Sequence, residues 1–125
     1  MTGARGNNVD WLKGLFDAVD SQDTARFVTY LSSDADFRFG SAPAVRGREQ
    51  ISGAVDGFFS SIAGSSHHLV NTLVKDDVIA CEGEVTYERH DGSKITLPFV
   101  NLFDMEGDLI ASYRIYIDIG PLYAE

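Results

Sequence analysis

Apolar residues recur every three or four positions through the first half of the chain and every second position through most of the rest, which predicts helices first and strands afterwards. Asn7-Asn8 followed by Asp10 reads as a helix start, and Val9, Leu12, Phe16 and Val19 continue it beside Trp11 and Leu15. A shorter helix is predicted from Asp23-Thr24, with Phe27, Val28 and Leu31 on one side and an end at Ser32-Ser33-Asp34. Ala35 to Phe39 then reads as a strand with Phe37 and Phe39 on one face, closed by the turn residues Gly40-Ser41-Ala42-Pro43. After Arg46-Gly47-Arg48, a third helix carries Ile51, Val55, Phe58, Phe59 and Ile62 until Gly64-Ser65-Ser66 stops it.

From His67 the period drops to two, predicting strands over His67 to Val74, Val78 to Arg89, Lys94 to Phe103 and Asp108 to Ile119. The connections Lys75-Asp76-Asp77, His90-Asp91-Gly92-Ser93 and Asp104-Met105-Glu106-Gly107 are short and turn-rich, so these strands form antiparallel hairpins. Helices segregated from a meander mean an α+β fold: a curved antiparallel or mixed sheet whose concave face is covered by three helices from the N-terminal half. Such a cone has a mouth suited to a small molecule. No repeat or linker divides the chain, which reads as a single domain over residues 1–125, with 1–7 a flexible N-terminus.

Composition narrows the function classes. At 125 residues, 44% hydrophobic and 23% charged, the chain has the balance of a soluble globular domain. A net charge of −9 without a Lys/Arg stripe speaks against nucleic acid and anionic membranes as partners. The single Cys81, the lack of a charged-then-apolar leader and the lack of a long apolar run make a cytoplasmic location the expectation.

In order along the chain, Leu15-Phe16-Asp17-Ala18-Val19-Asp20, Phe37-Arg38-Phe39-Gly40, Val45-Arg46-Gly47-Arg48-Glu49-Gln50-Ile51, His67-His68-Leu69-Val70-Asn71, Leu97-Pro98-Phe99-Val100 and Tyr116-Ile117-Asp118 span nearly the whole length. This arrangement resembles the nuclear transport factor two-like superfamily, and within it the SnoaL-like and ketosteroid isomerase-like members. The resemblance implies the cone fold and a homodimer through the outer sheet face, with Arg114 and Tyr116 as contact candidates. It leaves chemistry open, because this scaffold carries isomerases, cyclases, dehydratases, epoxide hydrolases and plain binding modules. The steroid-isomerase positions are occupied here by Leu15, Phe37 and Phe99, all apolar, so steroid-type enolisation is not expected.

Three polar residues remain as candidates. His67, spaced before Asn71 as in scytalone dehydratase-like members, would shuttle a proton, although strand parity lets only one of His67 and His68 face the cavity. Asp118 would be a second proton carrier if a bulge turned it inward; otherwise it leaves on the opposite face from Tyr113, Ile115 and Ile117 and is a surface or subunit-contact carboxylate. Asn101, on the face of Phe99 and Phe103, would orient a ligand or be satisfied by its own framework. Trp11, Phe16, Phe37, Phe39, Phe58, Phe99, Tyr113, Ile115 and Ile117 are the expected apolar lining, suited to a polyketide-, terpenoid- or steroid-like molecule. The run Glu82, Glu84, Thr86, Glu88 reads as a solvated sheet face and Cys81 as a small core residue. No metal-ligand spacing or phosphate loop is present, and no cofactor or metal is expected. Two functions follow: cofactor-independent cyclisation, isomerisation or dehydration by acid–base transfer, or a ligand-binding accessory module with the catalytic carboxylates lost.

Overall fold

The computed structural model describes residues 8–124; the expected flexible segment 1–7 lies outside them. The chain runs α1 (Asn8–Asp20), α2 (Thr24–Val28), β1 (Leu31–Phe39), β2 (Val45–Arg46), α3 (Arg48–Ser60), β3 (Gly64–Lys75), β4 (Val78–Glu88), β5 (Lys94–Glu106), β6 (Leu109–Tyr116) and α4 (Gly120–Tyr123). The strands form one mixed sheet in the order β2-β1-β6-β5-β4-β3. Its only parallel pair among the described residues is β1 with β6. The fold is the expected α+β one, with an unclosed curved sheet.

Local chemistry sets the boundaries. Asp23 caps α2 by accepting the Arg26 N–H at 3.1 Å. The helix then stops at Val28, because Leu31 is taken by the sheet, opposite Ile110. Ser32-Ser33-Asp34 therefore belong to β1 and not to a helix end: they run extended through the irregular stretch between the paired Leu31 and Asp36. A bulge between Leu31 and Asp36 absorbs the misfit, and Arg48 donates from Nε (2.9 Å) and Nη2 to the Leu31 carbonyl. At the other end β6 stops at Tyr116, paired with Val100, and the short α4 follows instead of three more strand residues.

Two further bulges bend the sheet, one between Leu69 and Asn71 on β3 and one facing Asp104 and Met105 where β6 meets β5. On β4 and β5 the odd-numbered side chains Cys81, Val85, Phe99 and Phe103 are buried, whereas Glu82 and Glu84 are exposed. The buried face meets Leu12, Leu15 and Phe16 of α1, Phe27 of α2 and Ile51, Val55 and Phe59 of α3 in one core. Burying a Leu or Phe side chain stabilises by roughly 1.5–3 kcal/mol, so this shared core is what holds the helices against the sheet. Among the described residues no helix is long and apolar enough to cross a membrane.

Candidate functional site

Between the concave sheet face and α2 and α3 lies a cavity of about 210 Å³. Its apolar wall includes Phe37 and Phe39 from β1, Phe58 from α3 and Phe99 from β5. Tyr113, Ile115 and Ile117 line it from β6 and its exit, as alternation requires. Trp11 and Phe16 are not in this wall. Trp11 packs edge-on to Tyr30 and Phe103, at 5.7 and 6.0 Å between ring centroids. Phe16 lies behind the wall, its ring 4.7 Å from that of His67 and 6.1 Å from Phe99. Both belong to the α1 face that packs over the sheet beyond the cavity.

The polar groups of the wall are Ser65, His67, Tyr87, Asn101 and Tyr113. His67 points inward from β3, while His68 is exposed opposite Glu84. The bulge after Leu69 reverses parity beyond it: Asn71 pairs with Glu82 on the outer face, its Nδ2 donating to Glu82 Oε1 at 3.4 Å, and so parts from His67. His90 is exposed in its turn, with Nε2 2.9 Å from the Ser60 carbonyl.

The imidazole of His67 meets a partner that the sequence had not suggested. Nδ1 lies 2.6 Å from Oδ1 of Asp20, the last residue of α1. Ser65 Oγ donates to the same oxygen at 2.8 Å, and the main-chain N–H of His67 donates to Oδ2 at 2.9 Å. Both side chains are largely enclosed, His67 9% and Asp20 26% exposed. Burial pushes the Asp20 carboxyl up, but the hydrogen bonds and charge of His67, with the bond from Ser65, outweigh it and hold the group below its ordinary value. An ionised carboxylate only accepts, so Nδ1 carries a proton and the neutral ring keeps its lone pair on Nε2.

Asn101 is 2% exposed, lines the cavity, and its Oδ1 has no hydrogen-bond partner among the described residues. Burial pushes the phenols of Tyr87 and Tyr113 well above their ordinary range, so both stay protonated at neutral pH. Burial likewise pushes the Cys81 thiol up to about 12, which leaves it no thiolate character. Asp118 does not join this group: it is exposed beyond the end of β6, and its Oδ1 accepts the Gly120 N–H at 3.1 Å at the entry to α4. Among the described residues no group of three or more His, Cys, Asp or Glu is placed to hold a metal ion.

A family model described as the SnoaL-like domain matches residues 12–113. The chain belongs to the SnoaL-like domain family. Solved structures with the same fold include an NTF2-like protein of unknown function from Burkholderia pseudomallei, 14% identical, with a TM-score of 0.83 over 94% of this chain and 95% of that one. A protein from Jannaschia sp. CCS1 assigned as a SnoaL-like polyketide cyclase is 21% identical, with a TM-score of 0.80 over 92% of this chain and 88% of its own. A ketosteroid isomerase-like fold from Catenulispora acidiphila, in complex with trimethylamine, is 17% identical, with a TM-score of 0.78 over 93% and 86% of the two chains. No curated protein matches this SnoaL-like chain in sequence. Identities this low establish the shared fold and leave the chemistry to the residues of the site.

Proposed function

We propose that this SnoaL-like protein binds a small, largely apolar molecule in its cavity and moves a proton on it, with Nε2 of His67 as the general base and then the acid. The observation that carries this reading is the Asp20–His67 pair at the wall of a cavity otherwise made of aromatic and aliphatic side chains. Asp20 positions the ring, fixes its tautomer and stabilises the imidazolium formed when Nε2 takes a proton. Protonated Tyr87 and Tyr113 supply donors for negative charge developing on a ligand oxygen. Asn101 remains the orienting group, whereas Asp118, outside the cavity, takes no part. Sequestering about 200 Å² of ligand apolar surface is worth about 5 kcal/mol before the costs of association, enough for binding once a polar contact or two is added.

The proposal extends to a homodimer through the outer sheet face, where Val78, Val100 and Tyr116 are exposed. There Arg114 is engaged with Asp104 at 2.8 Å, which leaves Tyr116 as the better contact.

Deuterium exchange tests the catalytic reading without knowledge of the natural substrate. The protein is incubated with 2-tetralone, an enolisable two-ring ketone, in D₂O, and label at the carbon beside the carbonyl is followed by NMR. Acceleration of about 10²–10⁴ over buffer, abolished by His67→Ala, is the expected result. Exchange at the buffer rate, or unchanged in the variant, returns the protein to the binding-module reading.

A further inference from the structure

Taking as its basis the reading that the cavity holds a ligand, we propose that the cavity selects a neutral one- or two-ring molecule bearing a free hydroxyl, and that this hydroxyl donates to Oδ1 of Asn101. Three independent features of the wall lead there. The first is size. A closed apolar cavity of about 150 Å³ takes a single benzene ring, and filling at interior packing density leaves the present 210 Å³ with room for roughly ten non-hydrogen atoms. That is a bicyclic aromatic or a substituted single ring. Four fused rings exceed this volume and would project from the mouth into solvent, so the cavity favours the smaller molecule over the steroid-like one that its apolar lining had suggested.

The second feature is charge. None of the described residues lining the cavity is Lys, Arg, Asp or Glu. The one carboxylate behind it, Asp20, is engaged by Ser65 and by the ring and main chain of His67. A ligand carboxylate or phosphate would lose its hydration and find only His67, whose positive charge, when it forms, is already matched by Asp20, so the occupant is neutral.

The third feature is the unpartnered oxygen. A buried amide acceptor without a donor is costly, and a ligand O–H restores the missing hydrogen bond. An ether or hydrocarbon of the same shape leaves Oδ1 as it was. Sites that bond a ligand hydroxyl in this way discriminate against analogues lacking it. Asn101 thus becomes a specificity residue that orients the ligand as a hydrogen-bond acceptor.

Equilibrium dialysis of the full chain against four probes tests this: 2-naphthol, 2-methoxynaphthalene, 2-naphthoate, and estradiol, which presents the same phenol on four fused rings. The wild-type protein is expected to bind 2-naphthol about tenfold more tightly than each of the others. Asn101→Leu, which keeps the side-chain bulk and removes the acceptor, should bring 2-naphthol and 2-methoxynaphthalene to equal affinity. Equal wild-type affinity for these two overturns the proposal even if the variant does not fold. So does estradiol or 2-naphthoate binding as tightly as 2-naphthol, or a hydroxyl preference that survives in Asn101→Leu. Binding of none of the four overturns the cavity reading itself, and the proposal with it, a result distinct from binding without selectivity.

Discussion

Asp20→Asn is the most informative single change, because it keeps the shape of the side chain while replacing a charged acceptor with an amide. In the wild type, Oδ1 accepts from Ser65 Oγ and His67 Nδ1 and Oδ2 accepts from the His67 main chain, at 2.8, 2.6 and 2.9 Å. An asparagine must place its NH₂ at one of those two oxygen positions. At the Oδ2 position it meets the His67 N–H, which cannot accept. At the Oδ1 position it meets Nδ1, which accepts once its proton has moved to Nε2, and a serine hydroxyl that can rotate. The variant therefore keeps the contacts with changed polarity and inverts the tautomer of His67, leaving no lone pair on Nε2.

The expected stability loss is about 1 kcal/mol, one charged hydrogen bond exchanged for a neutral one. For a domain of this size that lowers Tm by roughly 3–5 °C. Asp20→Ala, which strands all three donors, should cost about 2–3 kcal/mol, because water reaches part of a site whose carboxylate is 26% exposed. The tautomer is read directly from long-range ¹H–¹⁵N spectra of a His68→Asn/His90→Asn background, at a pH where the ring is neutral. The expected change is from Nδ1–H in the parent to Nε2–H in Asp20→Asn, with tetralone exchange falling by the whole 10²–10⁴ or so assigned to the base. An Nε2–H tautomer in the parent, or the same tautomer in both proteins, would refute the assignment of His67 as a base held by Asp20.

Gly83→Ala on β4 probes the seating of β3, which carries His67: a Cβ there would lie 2.1 Å from the His68 carbonyl oxygen and 3.0 Å from the Leu69 Cα, both backbone. A loss of about 2–3 kcal/mol, seen as a fall in the urea midpoint together with loss of His67-dependent exchange, is expected; an unchanged midpoint would show that β3 moves freely. Because the Asp20 carboxyl titrates below its ordinary 3.8 in the folded protein, its contribution is present above that pH and lost as the pH falls through the folded value. The stability gap between wild type and Asp20→Asn should accordingly close on acidification below 3.8, as urea titrations at several pH values would show; a gap that stays constant there contradicts the lowered Asp20 carboxyl. Cys81, 1% exposed with its thiol pushed up to about 12, should resist a disulfide reagent in the native protein and react at once in urea.

Much of the fold was legible from periodicity because its strands keep strict alternation where one face is buried. The pattern from Cys81 to Tyr87 and from Leu97 to Phe103 reads inward and outward correctly because the partner strands run alongside without a break. Legibility fails where register shifts. Nothing local in Ser32-Ser33-Asp34 announces that they continue β1 through a break in its register, and the bulge after Leu69 turns Asn71 away from the face of His67. Likewise Asp118 ends an apparently strand-like run, but pairing stops at Tyr116 and its carboxylate serves the next turn. Asp20 was passed over for a different reason: its partner is 47 residues away. One signal was available. A carboxylate in the last turn of a helix faces the negative end of the dipole and is unfavourable unless donors await it.

Those donors also explain why the dyad sits where it does. β3 is an edge of the sheet, so every second main-chain N–H along it points away from β4 and lacks a strand partner. The N–H of His67 is one of these, and Asp20 Oδ2 accepts it, so the end of α1 covers the edge at that point as a neighbouring strand would. The same carboxylate uses its second oxygen, which Ser65 Oγ also reaches, for the ring of the residue it has anchored. Backbone and side chain of His67 are thus fixed by one group, which locates the imidazole against the cavity wall more firmly than a side-chain contact alone. One side chain therefore closes the sheet edge and orders the imidazole proposed as the base, so truncating Asp20 is expected to lower stability and His67-dependent exchange together. Only the isosteric change to asparagine, which retains the edge contact and moves one proton, separates the two roles.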